Sequence, residues 1–116
     1  MSAPNPTSKK LAYKIIDAAE WTAAQSAGAY AGSAVDLADG YIHMSTADQL
    51  AETAAKHYAG RTGLVLLSVD LDRLGAGLKW EPSRGGALFP HLYGALPVEA
   101  VVEFVPFAAP PAVSKA

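Results

Sequence analysis

The chain contains no cysteine. Disulfides, thiolate nucleophiles and cysteine-held zinc or iron–sulfur centres are therefore excluded. The absence fits a reducing compartment, and a cytoplasmic location is expected. No apolar run approaches the roughly 20 residues that a spanning helix needs, so no membrane segment is expected. Residues 1–10 lack an apolar stretch and do not read as a secretory leader. Charge is also sparse: 9 Lys and Arg against 11 Asp and Glu, net −2. That balance carries no footprint for duplex DNA or an anionic membrane, and it lends an RNA end no support as a substrate. What is abundant is apolar surface, 51% of 116 residues, which suits one domain with a core rather than a disordered chain. Much of it is alanine, so the core is expected to be small and tight.

Residues 1–10 are polar with two prolines and read as a disordered arm. Leu11 to Ile16 reads as a strand, with Tyr13 and Ile15 on one face and Lys14 on the other. Asp17 is expected to cap a helix that runs to about Ala27 and stops at Gly28, with Trp21, Ala24 and Gln25 inward. Ala29 to Gly40 reads as a loop, and Gly40 to Met44 as a strand. Ser45 or Thr46 opens a second helix, since Thr46 with Gln49 and Ser45 with Asp48 both fit a capping box. Ala47, Leu50, Ala51, Ala54, Ala55 and Tyr58 share its apolar face. Leu64 to Asp70 is too short for a helix and reads as a buried central strand. Leu78 to Glu81 and Val101 to Phe107 are further strands, and residues 108–116 form a loose Pro/Ala tail. The order implies a single α+β domain over residues 11–107.

Chemistry concentrates between Trp80 and Gly94. The frame of glycine and proline there cannot be helix interior and reads as loop, or loop ending in a short strand. His91 can exchange protons near neutrality, and Glu81 and Arg84 lie close enough in sequence to converge on it. Arg84, flanked by Ser83, Gly85 and Gly86, can present its fork to a phosphate. Equally, a Glu81–Arg84 ion pair can simply hold the loop. His43 stands where a strand meets a helix start, so Ser45, Thr46 and free N–H groups offer an anion site. Equally, those hydroxyls cap the helix and His43 is an interior histidine. His57 reads as structural or exposed. His43, His91 and Glu81 have the composition of a two-His-one-carboxylate site, but their spacing carries no metal signature and no metal is expected. Neither a phosphate-loop nor a dinucleotide fingerprint is present, and Gly-x-Ser-x-Gly is absent.

Three stretches together resemble the DUF952 family, a domain of unknown function. They are Ala12-Tyr13-Lys14-Ile15 with Glu20-Trp21, then Asp36 to Thr46 with Gln49 and Glu52-Thr53-Ala54, and finally Trp80 to Gly86 with Leu88 to Pro97. The resemblance implies a minimal relative of the ADP-ribosyltransferase fold: two packed, mostly antiparallel sheets with two flanking helices around a nucleotide cleft. It places Lys14 at the ribose site, His43 or Tyr41 at the nicotinamide pocket, and His91 where a late Glu usually stands. A His opposes a developing oxocarbenium charge once protonated, so the implied chemistry leans toward phosphate transfer or binding without turnover. The expectation is a nucleotide-handling enzyme acting on NAD, ADP-ribose or a phosphorylated nucleotide or RNA end, with no resident cofactor. His43, Arg84 and His91 form its polar centre, Ser45, Thr46 and Ser83 hydrogen-bond the ligand, and Tyr41, Trp80 and Tyr93 stack on it. The alternatives are a non-catalytic nucleotide- or phosphate-binding module and a purely structural domain.

Overall fold

The computed structural model describes residues 10–83 and 86–109. Most of the expected N-terminal arm, Arg84 with Gly85, and most of the expected tail lie outside the described residues. The strands are β1 (Leu11–Asp17), β2 (Ala29–Tyr30), β3 (Ile42–His43), β4 (Leu64–Asp70), β5 (Leu78–Pro82), β6 (Leu88–Leu92), β7 (Leu96–Pro97) and β8 (Val101–Phe107). The α-helices are α1 (Ala18–Ala27), α2 (Ala34–Asp39) and α3 (Ala47–His57). The class is mixed α+β. In place of two sheets and two helices, the described residues form three small antiparallel sheets, β1-β4-β8, β2-β7 and β3-β6-β5, with three helices. No described helix is long and apolar enough to cross a membrane.

β4 is apolar from Leu64 to Leu67 and again at Val69, as suits a strand covered on both faces. Leu67 and Val69 enter the main core with Ala12 and Ile16 of β1, Trp21 of α1, Ile42 and Met44, Leu92 and Leu96. Leu64 points to a second cluster with Ile15, Ala54 of α3 and Ala109. α3 thus lies against one face of this sheet, and α1 and the smaller sheets close the other. The apolar face of α3 is narrower than expected. Ala54 is buried and Leu50 and Tyr58 pack beside it, whereas Ala47, Ala51 and Ala55 are exposed. Tyr58 fastens the helix by donating its hydroxyl to the Ile15 carbonyl at 3.0 Å. In α1, Trp21 and Ala24 are buried but Gln25 is exposed. Asp17 precedes α1 without capping it and pairs with Arg61 instead.

Two stretches expected as loops are ordered. Within residues 29–40, Ser33 and Asp36 form a reciprocal capping box that starts α2. From Leu78 to Leu92 the strands β5 and β6 pair as a hairpin, so the stretch after Trp80 is more fully strand than a loop ending in a short strand. Its prolines are tolerated because Pro82 ends β5, and β3 pairs with β6 only at Ile42–Leu92 and His43–His91. Beyond that short ladder, Pro90 needs only to accept, and it takes the Met44 N–H at 3.1 Å.

Candidate functional site

Strand alternation and register assemble the site on the sheet β3-β6-β5. His43 lies opposite His91, His91 lies opposite Lys79, and Glu81 lies opposite Phe89. Residues two apart on a strand share a face, and cross-strand partners share it too. Tyr41, His43, Lys79, Glu81, His91 and Tyr93 therefore belong to one face. Ile42, Leu78 and Leu92 belong to the other, which meets the core.

The rings on this face touch. Tyr41 stacks on His91 with centroids 4.2 Å apart and planes 26° apart. Tyr41 also meets His43 at 4.6 Å and Tyr93 at 5.2 Å, and the two imidazoles are 5.5 Å apart, edge to face. Burial, together with the carboxylates of Asp39 and Glu81, pushes the Tyr41 phenol up.

Glu81 joins the two ends of the cluster. It takes His91 Nδ1 at 2.8 Å and the Tyr93 hydroxyl at 2.8 Å. These bonds, His91 first, hold its carboxyl below the usual range, and the same carboxylate pushes the Tyr93 phenol up. His91 is 2% exposed. A carboxylate can only accept, so the Glu81 bond places a proton on Nδ1.

Asp36, absent from the sequence-derived site, is the hub on the other side. It is 2% exposed and receives Lys14 Nζ at 3.0 Å, the Ser33 N–H at 2.9 Å, and both the N–H and Nδ1 of His43 at 3.1 and 2.6 Å. Burial alone would raise its pKa. The His43 bond, the Lys14 charge and the backbone donors outweigh that and hold the carboxyl far below its ordinary value. Burial lowers the Lys14 pKa, against the attraction of Asp36. His43 Nε2 meets Asp39 at 2.9 Å. These two bonds tie the imidazole between α2 and β3. The available signal for Asp36 was the Ser33-x-x-Asp36 capping pattern.

The expected residues divide accordingly. Tyr41, His43, Glu81, His91 and Tyr93 converge. Lys14 is 6% exposed, its ammonium committed to Asp36 rather than open to a ligand. Ser45 is buried and shares a hydrogen bond with Thr53 at 2.9 Å. Thr46 precedes α3, its N–H taken by the Gln49 side chain at 3.0 Å. Trp80 alternates to the face opposite Glu81, across from Pro90, and so stands apart from the ring cluster. Ser83 follows β5 and closes the turn by donating its N–H to the Ala87 carbonyl. The Arg84 expectation lies outside the described residues. Among those residues no group of three or more carboxylates and histidines is placed to hold a metal. A cavity of about 310 Å³ opens beside the rings, with Asp36, Leu37, Tyr41, Ile42 and Ala95 in its wall.

Comparison with known proteins agrees with this architecture. The crystal structure of protein CC0527 from Caulobacter crescentus matches with a TM-score of 0.81 and 55% identity, covering 83% of this chain and 84% of that one. The solution NMR structure of CC0527 matches with a TM-score of 0.76 and 54% identity over 84% of each chain. No curated protein matches. The model of a protein family of unknown function, DUF952, matches residues 15–104. With that span covering most of the chain, this protein belongs to the DUF952 family.

Proposed function

We propose that the Tyr41–His91 face and its adjoining cavity bind a nucleotide or similar phosphorylated small molecule, and that His91 exchanges a proton with it. NAD, ADP-ribose and a phosphorylated nucleotide or RNA end are the candidates, in a cleft of ADP-ribosyltransferase type. The observation that carries the reading is that Tyr41 both lines the cavity and stacks on His91. A planar group held against Tyr41 would meet the ring that stacks on an imidazole whose orientation Glu81 sets. The cavity is at the lower end of the roughly 300–1,000 Å³ typical of ligand sites, room for one ring or sugar rather than a whole dinucleotide. Carboxylates suit ribose hydroxyls, and Arg84 is the residue in this stretch suited to phosphate. His43 is spent on Asp36 and Asp39, so its role is to position α2 and Tyr41, not to transfer protons.

That commitment of polar groups also favours a second reading, binding without turnover. A thermal-shift panel of NAD, ADP-ribose, ADP-ribose cyclic phosphate, nicotinamide, AMP and phosphate tests the first. A ligand at ~100 times its Kd adds about 2.7 kcal/mol, several degrees for a domain of this size. The expected result is a shift lost in Tyr41→Ala, with product formation lost in His91→Ala. Binding that survives His91→Ala with no product in the wild type selects the binding module. A flat panel overturns both.

A further inference from the structure

The cavity beside Tyr41 has an electrostatic sign. Among the described residues of its wall, Asp36 is the charged side chain and none is basic. The bonds from His43, Lys14 and Ser33 hold Asp36 ionised. Lys14, its partner at 3.0 Å, is not in the wall, so the buried ion pair presents its negative end to the cavity.

Tyr41 supplies the aromatic part of the wall. After burial, the charges that raise its phenol are the carboxylates of Asp39 and Glu81. His43 and His91 also touch the Tyr41 ring, and each offsets this field when protonated. Lys79 shares the ring face but stands on β5, two strands across from β3.

We propose that this cavity selects a planar, positively charged ring, an N-alkylated heteroaromatic, over its neutral and anionic counterparts. The inference rests on the reading that a ring of the ligand lies against Tyr41, and it assigns that ring a charge. A cation over the Tyr41 face gains from the ring quadrupole, more so where water is excluded. It also meets the exposed end of the Lys14–Asp36 pair. An anion there would lose its hydration beside an ionised carboxylate and find no described base in the wall. The anionic part of a ligand is therefore left outside, toward the hairpin side of the face.

The test uses the full chain and three probes of one shape: 1-methyl-3-carbamoylpyridinium, neutral 3-methylbenzamide and anionic 3-methylbenzoate. Binding is followed by ¹⁵N–¹H chemical shifts. The expected result is saturable binding of the pyridinium at least ten-fold tighter than of the amide, with the carboxylate weakest. Added salt should weaken the pyridinium and spare the amide. Asp39→Asn, a change at a half-exposed side chain, should lower pyridinium affinity several-fold and leave the amide unchanged. Tyr41→Leu should shrink the preference for the cation. Equal binding of pyridinium and amide overturns the charge assignment and leaves the ring-binding reading standing. Tightest binding by the carboxylate overturns it in favour of an anion site. Binding of none of the three overturns the ring-binding reading and this inference with it.

Discussion

Lys14 and Asp36, 22 positions apart, meet at 3.0 Å with both side chains almost fully buried. Each is needed to make the other's burial tolerable. The pair ties β1 to α2, and through His43 it ties both to the sheet that carries the site.

Breaking this pair is therefore costly. Asp36→Ala leaves Lys14 buried and unpaired and should destabilise the protein by about 3–5 kcal/mol. Lys14→Met should cost less, because Asp36 keeps its bonds from His43 and Ser33. Urea unfolding of both variants decides this. Equal losses would show that the carboxylate depends on Lys14 alone.

Acid should unfold the protein partly through Asp36. Its folded pKa lies below the unfolded value near 3.9, so the unfolded chain takes up the proton first. The stabilisation is complete above that value and is lost as pH falls through the folded pKa. Melting temperature measured downward from about pH 5 should drop, and Asp36→Asn should drop less steeply from its lower start. Parallel curves would assign the acid transition to other groups.

The Glu81–Tyr93 bond has an optical signature. Phenolate formation by Tyr93 is displaced upward by the Glu81 carboxylate. Alkaline difference absorbance should show one tyrosine ionising earlier in Glu81→Gln than in the wild type, and Tyr93→Phe should remove that change. No difference between Glu81→Gln and wild type would mean that the bond does not persist in solution.

Gly77 supports the site from behind. A Cβ there would lie 2.6 Å from the Tyr93 carbonyl oxygen, a backbone atom, while the Gly77 carbonyl accepts the Tyr93 N–H at 2.8 Å. Gly77→Ala should cost about 1–3 kcal/mol and displace the Tyr93 end of the cluster. A melting temperature within one degree of wild type would rule this out.

Gln49 spans two elements. It accepts the Thr46 N–H at 3.0 Å and donates to the Leu88 carbonyl at 2.8 Å. Gln49→Ala should lose about 1–2 kcal/mol, the range of a helix cap. Gln49→Glu, which can accept but not donate, should recover only the cap.

Local pattern was enough to read much of this chain. Alternation marked β1, a short apolar run marked β4, and Thr46 with Gln49 marked the start of α3, because these signals depend on neighbours a few residues away. The sequence alone also excluded thiol chemistry and showed that His43 and His91 lie in two separate polar stretches. Only the tertiary structure decided that Lys14 turns inward, since alternation separates two faces without saying which is buried. The 22-residue reach to Asp36 is invisible to periodicity. Prolines and glycines between Trp80 and Gly94 read as loop because a single strand cannot show that its missing donors fall where no partner asks for them. The meeting of His43 and His91 follows from one register between β3 and β6, 48 residues apart. A slip of one residue would have turned the imidazoles to opposite faces, and the register is set by Ile42 and Leu92 entering the core.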